Sequence, residues 1–410
     1  MPAGHARTAP AEWPADLLDV SALRTSGWTP VPFRQFLLKV NSRCNIACDY
    51  CYVYEMADQS WQAQPTVMSD RVVERAAERI ARHATTHELD EVRIILHGGE
   101  PLLAGREFFR KLTSTFDRAL GPDTVHSLGV QTNAVLLDED YLDLLLDCRI
   151  RVGVSLDGGR ATNDRHRRYR NGRSTYDQVA DALELLATPK YRPLFTGLLA
   201  TIDIANDPVG TYEDLLALEP PSLDFLLPHG NWTARPPHRV ADPASTPYAD
   251  WLIPIFDRWY LAPRRETGIR FFEELINLVL GGRSSLESIG LTPVNLIVVE
   301  TDGSLEQVDS LKAAFDGAAK TGLNVFDHDF DVALENPSVA ARQIGVDGLS
   351  DICRSCRVLD VCGGGLYPHR YQAGSGFLNP SVYCPDLLRL IDHVHGRVAA
   401  DLARVGAGAR

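Results

Sequence analysis

Short apolar runs alternate with amphipathic helical windows, and this alternation is the feature that most constrains how the chain can fold. The predicted strands span residues 36–40, 92–97, 127–132, 151–156, 194–202 and 223–228, and the helices between them span 70–83, 106–120, 138–146, 176–186 and 211–218. Strands that alternate with helices form a parallel sheet through right-handed crossovers. Six units are too few for a closed eight-fold barrel, so we predict an α/β fold with a partial, TIM-like (β/α)6 barrel.

Polar and glycine-rich segments follow most of the predicted strands. They are residues 44–51 after the first strand, 97–101 after the second, 131–133 after the third, 155–158 after the fourth and 228–232 after the sixth. Each segment alone could be a simple turn. In parallel barrels, however, the chemistry lies at the carboxyl ends of the strands. Five such segments on one rim therefore predict a single functional site.

Three cysteines in the first of these segments, Cys44, Cys48 and Cys51, have the spacing CxxxCxxC. Three thiolates can hold three irons of a [4Fe–4S] cluster, because soft sulfur ligands suit iron–sulfur chemistry. The fourth iron then has no protein ligand and can chelate a small molecule. A zinc site would need a fourth ligand nearby, and three clustered cysteines cannot all pair in disulfides.

A second group of cysteines lies near the C-terminus, at Cys353, Cys356, Cys362 and Cys384. Clustering of this kind predicts metal binding, and four thiolates are an acceptable structural zinc set. Cys148 stands alone after an apolar run, so we expect a buried core thiol there.

Composition and charge exclude several classes of function. The formal net charge of −13 argues against a nucleic-acid partner, because phosphate binding needs a basic surface. No apolar run approaches the roughly 20 residues that span a bilayer, and no segment resembles a secretory signal. We therefore expect a cytoplasmic protein without a membrane partner.

The chain divides into four predicted regions. Residues 1–31 form an Ala- and Pro-rich extension, 32–235 the partial barrel, 236–290 a helical bridge, and 291–410 a smaller C-terminal domain. The last region opens with a strand at 296–300 and a turn at Asp302-Gly303, and it ends with a helix at 387–404.

Three ordered motifs, at residues 44–51, 98–101 and 155–158, resemble those of the radical S-adenosylmethionine (SAM) enzymes. The resemblance covers roughly residues 33–230. It implies that the first three cysteines bind a [4Fe–4S] cluster whose open iron chelates SAM. An electron donor of the flavodoxin or ferredoxin type would then allow reductive cleavage of SAM to a 5′-deoxyadenosyl radical.

The same resemblance implies a set of SAM contacts. They are Tyr50 at the adenine, Gly98, Gly99 and Glu100 at the methionine ammonium, Gln131, Asn133 and Ser155 at the ribose, and Arg167 at the carboxylate. A carboxylate and carbonyl groups are suitable partners for an ammonium group. Arg167 belongs to a run with several other arginines, so a solvated basic stretch is the alternative there.

The C-terminal cysteines resemble the ligands of the distal auxiliary cluster of a SPASM domain, which implies one auxiliary [4Fe–4S] cluster. Val308 and Leu366 stand where that family has cysteines for a nearer cluster. The resemblance therefore implies that the near cluster is absent. A structural zinc ion at the four C-terminal cysteines stays an alternative.

Segments 32–40, 52–55, 298–303 and 379–384 resemble the FxsB-type maturases of ribosomally synthesised peptides. This likeness implies an oxidoreductase that binds a precursor peptide and forms a three-residue cyclophane. In that product an aromatic ring carbon is joined to the Cβ of a residue two positions later. Asn41 departs from the pattern, because His is expected there.

The implied reaction removes a Cβ hydrogen, adds the carbon radical to a ring, and then removes one electron and one proton. A base is needed, and Glu300, Asp302 and Asp309 at the predicted domain junction are the candidates, with His229 and Trp232 as possible walls of a peptide cleft. Alternative functions are a sulfatase-type maturase that forms formylglycine, a thioether-forming maturase, and a non-catalytic iron–sulfur scaffold that binds peptides. The sequence does not indicate the oligomeric state.

Overall fold

The computed structural model describes residues 12–15, 17–121, 124–240, 242 and 244–408. The strands are β1 Gln35–Asn41, β2 Ala47–Cys48, β3 Glu91–Gly98, β4 Val125–Thr132, β5 Ile150–Ser155, β6 Arg167–Arg168, β7 Phe195–Thr201, β8 Ser222–Leu226, β9 Gly268–Ile269, β10 Leu296–Val299, β11 Ser304–Glu306 and β12 Lys320–Asn324. The helices are α1 Val20–Thr25, α2 Asp70–Thr86, α3 Arg106–Leu120, α4 Glu139–Asp147, α5 Arg160–Asn163, α6 Tyr176–Ala187, α7 Pro208–Leu216, α8 Pro247–Tyr260, α9 Arg270–Val279, α10 Phe330–Leu334, α11 Pro337–Ala340, α12 Asp351–Arg354, α13 Leu359–Cys362 and α14 Cys384–Gly408.

A ten-stranded sheet forms the centre of the molecule, in the order β12-β11-β10-β1-β3-β4-β5-β7-β8-β9. The six strands predicted from the sequence are neighbours in this sheet and pair in parallel. Helices connect most of them, so the predicted α/β fold with a partial barrel is confirmed.

The C-terminal region extends the same sheet. Strand β10 pairs in parallel with β1, and β10, β11 and β12 form an antiparallel meander. The hairpin expected around Asp302-Gly303 is therefore present, but it continues the barrel sheet at its first strand. This continuity brings the loop after β11 close to the carboxyl end of β1.

Local sequence explains where the barrel helices begin. Ser69 caps α2 by accepting a hydrogen bond from the backbone N–H of Val72, and Asp138 caps α4 by accepting one from Tyr141. Such caps satisfy backbone donors that a helix leaves unpaired. The buried faces of these helices cover β1 and its neighbours, whose side chains Phe36, Leu38 and Val40 are fully buried.

Helices α8 and α9, inside the predicted bridge, pack against the long C-terminal helix α14. The extension is only partly described, and residues 1–11 lie outside the described part of the chain. Its Trp13 is buried in a small second hydrophobic cluster with Tyr367 and Phe377. Among the described helices, none is both long enough and apolar enough to cross a membrane.

Candidate active site

A cavity of about 420 Å³ opens at the carboxyl ends of the parallel strands. Its walls include most of the residues that the motifs indicated. Of the predicted site residues, Cys44, Cys48, Cys51, Tyr50, Gly98, Gly99, Gln131, Asn133, Ser155 and Arg167 line it. The five segments expected on one rim are therefore represented around a single cavity.

The cysteine loop is fixed at both ends to neighbouring strands. The Gly99 N–H donates to the Asn41 carbonyl and the Glu100 N–H donates to the Arg43 carbonyl, each over 2.8 Å. A Cβ at Gly99 would lie 2.3 Å from that Arg43 oxygen, so a larger residue would displace the loop. At the other end, Cys48 in β2 pairs with Arg167 in β6.

The three thiols at the cavity fit an iron–sulfur cluster. Burial raises the pKa of Cys44 to about 12 and that of Cys48 to about 11, so buried thiolates here need a compensating cation. In the described residues, the groups of three metal-type ligand atoms within 4.8 Å of one another include none of these sulfurs. Their spacing is thus wider than the roughly 3.8 Å that thiolates adopt around one zinc ion, which favours a cluster.

Arg167 belongs to a buried network beneath the cysteine loop and not to a solvated basic stretch. It is 8% exposed, and its Nη1 donates to the Tyr50 hydroxyl over 2.9 Å. That hydroxyl donates to Asp157 over 2.6 Å, and the Thr201 N–H donates to the other Asp157 oxygen. Burial raises the pKa of Tyr50 well above its usual value, so the tyrosine stays neutral. The network places a fixed positive charge beside Cys48.

Glu100 is buried behind the cavity wall. One of its oxygens accepts from the Leu102 N–H and the Thr132 hydroxyl, and the other accepts from the Asn133 N–H. Burial raises its pKa. In this structure the carboxylate positions Asn133, whose amide donates to Asn45 over 2.8 Å. A direct contact of Glu100 with SAM stays a prediction.

The predicted contacts from β4 and β5 form a hydrogen-bonded pair on the wall. Gln131 Nε2 donates to the Ser155 hydroxyl over 2.9 Å. The hydroxyl remains able to donate to a ligand, because its own proton is not used by this bond. This arrangement suits the predicted ribose contacts.

The three candidate bases lie away from the cavity wall. Glu300 and Asp309 are at most 3% exposed and are paired with Lys312 at 2.8 Å and Lys39 at 2.7 Å, respectively. Asp302 accepts from the Ser304 N–H and shapes the turn between β10 and β11. Of the three, only Asp309 approaches a residue of the cavity wall.

That wall residue is His97, which the motif contained but sequence reasoning did not single out. Its Nδ1 lies 3.8 Å from an Asp309 oxygen and has no hydrogen-bond partner among the described residues. His229 also lines the cavity, with its ring 4.7 Å from that of Tyr52. Burial lowers the pKa of each histidine to about 4, so both are neutral at physiological pH. Trp232 instead donates to the Pro380 carbonyl and packs against the core.

The four C-terminal cysteines surround a separate, small apolar pocket of about 40 Å³. Cys353 is in α12, Cys362 ends α13 and Cys384 begins α14, so three short elements converge there. In the described residues these sulfurs form no group of three within 4.8 Å of one another. That spacing disfavours the structural zinc alternative and favours a cluster.

Hydrophobic packing occupies the region where the resemblance would place a nearer cluster. Val308 packs against the small cluster that contains Trp13, Leu311 and Tyr367. Tyr367 directly follows Leu366 in the chain and stacks on Phe377 at 4.4 Å between ring centroids. The two missing cysteines are thus accompanied by a filled core.

Comparisons with known proteins agree with this geometry. Residues 38–203 match the radical SAM superfamily. The chain is 25% identical over 380 residues to a cysteine-type anaerobic sulfatase-maturating enzyme of Clostridium perfringens, covering 90% of this chain and 97% of that protein. It is 24% identical over 384 residues to a serine-type enzyme of Klebsiella aerogenes, covering 90% and 89%.

Solved structures give the same result. The structure described as native anSMEcpe with bound AdoMet has a TM-score of 0.76 and 25% identity, covering 89% of this chain and 98% of that one. Streptococcus suis SuiB bound to its precursor peptide SuiA has a TM-score of 0.57 at 14% identity, covering 89% and 78%, and shows the fold alone. The relatives do not support the finer likeness to cyclophane-forming maturases. Taken with the thiol-lined cavity, the comparisons establish that this chain is a radical SAM enzyme whose cofactors are SAM and iron–sulfur clusters.

Proposed function

We propose that this enzyme is a maturase that oxidises a Cys or Ser side chain of a peptide substrate to formylglycine. The observation that carries the proposal is the extent of the similarity. It covers 90% of this chain and 97% of a cysteine-type sulfatase-maturating enzyme, so it includes the C-terminal domain as well as the barrel. An external electron donor of the flavodoxin or ferredoxin class is part of the proposal.

When bound, SAM and its cluster supply a 5′-deoxyadenosyl radical that can remove a hydrogen atom from the substrate. The chain's own residues hold these groups and shape the space around them. Cys44, Cys48 and Cys51 hold the cluster, and the buried Arg167 provides positive charge next to it. The Gln131–Ser155 pair offers a hydroxyl to SAM.

The rest of the cavity suits a peptide side chain. Leu226, Leu227 and Pro228 give one wall an apolar surface, and Tyr52 and Trp61 add aromatic rings. A volume of about 420 Å³ lies within the range of ordinary ligand sites. Leu226 is 39% exposed, so this wall reaches the solvent from which a peptide would enter.

Oxidation of a serine CH2OH group to an aldehyde removes one hydrogen atom, one proton and one electron that an iron–sulfur acceptor takes up. His97 is suited to take the proton, because it is a neutral imidazole on the cavity wall. Asp309 stands behind it and would stabilise the imidazolium, while Lys39 compensates the charge of Asp309. Of the bases predicted from the sequence, this proposal keeps Asp309 in a supporting role.

Cyclophane formation is the second candidate. The cysteines that are absent at Val308 and Leu366, and the hydrophobic packing there, favour a chemistry different from that of enzymes with two auxiliary clusters. Both reactions begin with loss of a Cβ hydrogen and end with loss of a proton. The cavity therefore serves either reaction.

The test uses the full chain, reconstituted anaerobically with iron and sulfide, and candidate peptides that contain Cys or Ser. Formylglycine formation predicts a product that reacts with an aldehyde-directed hydrazide probe at the Cys or Ser position. A product that has lost two hydrogens without forming an aldehyde, with the change confined to three residues, would favour the cyclophane. Peptides in which Ala replaces the Cys or Ser are the matched controls. Modification of those control peptides would contradict the proposal.

A further inference from the structure

A group of metal-type ligands lies outside the cavity, where α2 of the barrel meets α10 of the C-terminal region. His83 and His87 are one helical turn apart on the same face at the end of α2. Asp331 in α10 faces both: its Oδ1 lies 2.9 Å from His83 Nδ1 and 2.7 Å from His87 Nε2. The three ligand atoms lie within 4.8 Å of one another, so they converge on one point.

Hydrogen bonds alone leave His83 in conflict with its surroundings. The residue is 2% exposed, and burial keeps its ring singly protonated at neutral pH by lowering its pKa to about 4. If the proton is on Nδ1, Nε2 stays buried without a partner among the described residues. If the proton is on Nε2, the Nδ1 lone pair faces a carboxylate oxygen 2.9 Å away. A cation between Nδ1 and that oxygen removes the second conflict.

We propose that His83, His87 and Asp331 form a Zn²⁺ site with a water molecule as the fourth ligand. Imidazole and carboxylate groups are common zinc ligands, with bonds of about 2.0–2.2 Å in tetrahedral geometry. Such bonds place ligand atoms roughly 3.3 Å apart, so the three side chains need to separate by about half an ångström. The side chains of Asp331 and His87 are 43% and 26% exposed, which gives the ion and the water access from solvent.

The neighbouring charges leave the site available. Arg79 and Arg82, on the same helix, both pair with Asp329 and not with Asp331. His83 also packs against the rings of Phe33 and Phe330, which belong to the two regions that the ion would join. The metal would therefore act as a clamp between the barrel and the C-terminal region. Because the ion binds the folded protein, it would stabilise that contact by mass action.

The test uses the full chain with its iron–sulfur clusters reconstituted anaerobically. ZnCl2 is titrated in competition with a chromogenic chelator, and the bound zinc is examined by X-ray absorption at the zinc edge, which iron does not obscure. We expect one tightly bound equivalent with nitrogen and oxygen ligands at about 2.0–2.1 Å. Sulfur ligands at about 2.3 Å would place the zinc on the cysteines and overturn the proposal.

His87→Gln and Asp331→Asn should each weaken zinc binding by more than about tenfold. His126→Gln is the matched control, because His126 contacts a single carboxylate, Asp117, and has no third ligand in the described residues. Zinc should also raise the melting temperature of the wild type and of the control, but not that of His87→Gln. No tight equivalent in the wild type, or unchanged affinity in both ligand variants, would overturn the site.

Discussion

The two cysteine sites of this enzyme differ in the number of thiols and in the space in front of them. Three thiols at residues 44–51 face a cavity of about 420 Å³, whereas four C-terminal thiols surround about 40 Å³ of apolar space. A four-iron cluster held by three thiolates keeps one iron for another ligand, and a cluster held by four keeps none. The comparison indicates that the first site is built to react with a ligand and the second is built to be closed.

The largest expected effect separates the two sites directly. Cys44→Ala removes one of only three ligands at the open site, so cleavage of SAM should be abolished. Chromatography of 5′-deoxyadenosine under reductant, without any peptide, measures this. The iron content should fall from about eight per chain toward about four, as expected for loss of one of two four-iron clusters. Continued production of 5′-deoxyadenosine would contradict the assignment of the open site.

Cys384→Ala should have a different signature, because it opens the closed site. The variant should lose about four irons and still cleave SAM without peptide. Peptide turnover should fall, since α14 begins at Cys384 and packs against α8 and α9. If SAM cleavage fell as completely as in Cys44→Ala, the functional separation of the two sites would be wrong.

The fold and the open site were largely predictable because they depend on short-range patterns. Strand and helix periodicity located the six parallel strands to within a few residues, and the spacing of the cysteines located the ligands. The pairing of β10 with β1 was not predictable, because it joins residues about 260 positions apart. No local pattern encodes such a partner. The C-terminal hairpin was therefore assigned to a separate domain instead of the barrel sheet.

The candidate bases show the same limit at the level of side chains. The acidic residues at the end of β10 and after β11 were recognisable, but their partners were not. Lys39 and Lys312 neutralise Asp309 and Glu300 through contacts that only the folded sheet creates. His97 was visible in the motif beside Gly98-Gly99, yet its position before Asp309 depends on β1, β3 and the loop after β11 meeting at one place. A histidine directly before a glycine motif at a strand end was the available signal.

Replacing His97 tests the proton-transfer side of the open site. His97→Gln keeps a polar side chain but removes the base, so peptide turnover should fall by about 10²-fold or more. SAM cleavage without peptide should change far less. Because burial holds the pKa of His97 at about 4, wild-type turnover should not lose its base between pH 8 and 6. The imidazole becomes protonated only as the pH approaches about 4.

His229→Gln is the control for that experiment, because His229 lines the same cavity with a pKa that is lowered equally. It should retain more peptide turnover than His97→Gln, since no carboxylate forms a contact with it among the described residues. Both wild-type histidines should make the folded protein less stable as the pH falls below about 6.5, because the unfolded chain then binds more protons. Equal loss of turnover in the two variants would remove His97 from its proposed role.

The smallest effects come from the buried arginine beside each cysteine site. Arg167 donates to Tyr50 at the open site, whereas Arg370 donates to the carbonyls of Gly363, Gly364 and Gly365 at the closed site. Lysine keeps the charge of either residue but lacks the planar fork of donors. Arg370→Lys should therefore lower the free energy of unfolding by about 1–3 kcal/mol without changing SAM cleavage, because several buried carbonyls lose their donor.

Arg167→Lys should show the opposite pattern, because its charge stays near Cys48 while its hydrogen bond to Tyr50 is strained. SAM cleavage should fall by about tenfold, with a loss of stability near 1 kcal/mol. Arg168→Lys, at the exposed neighbouring position of β6, should change neither quantity. Thermal unfolding and 5′-deoxyadenosine production, measured on the same samples, separate the cases. If both arginine variants lost stability and SAM cleavage in equal proportion, the open and closed sites would be one coupled unit rather than a reactive site and a structural one.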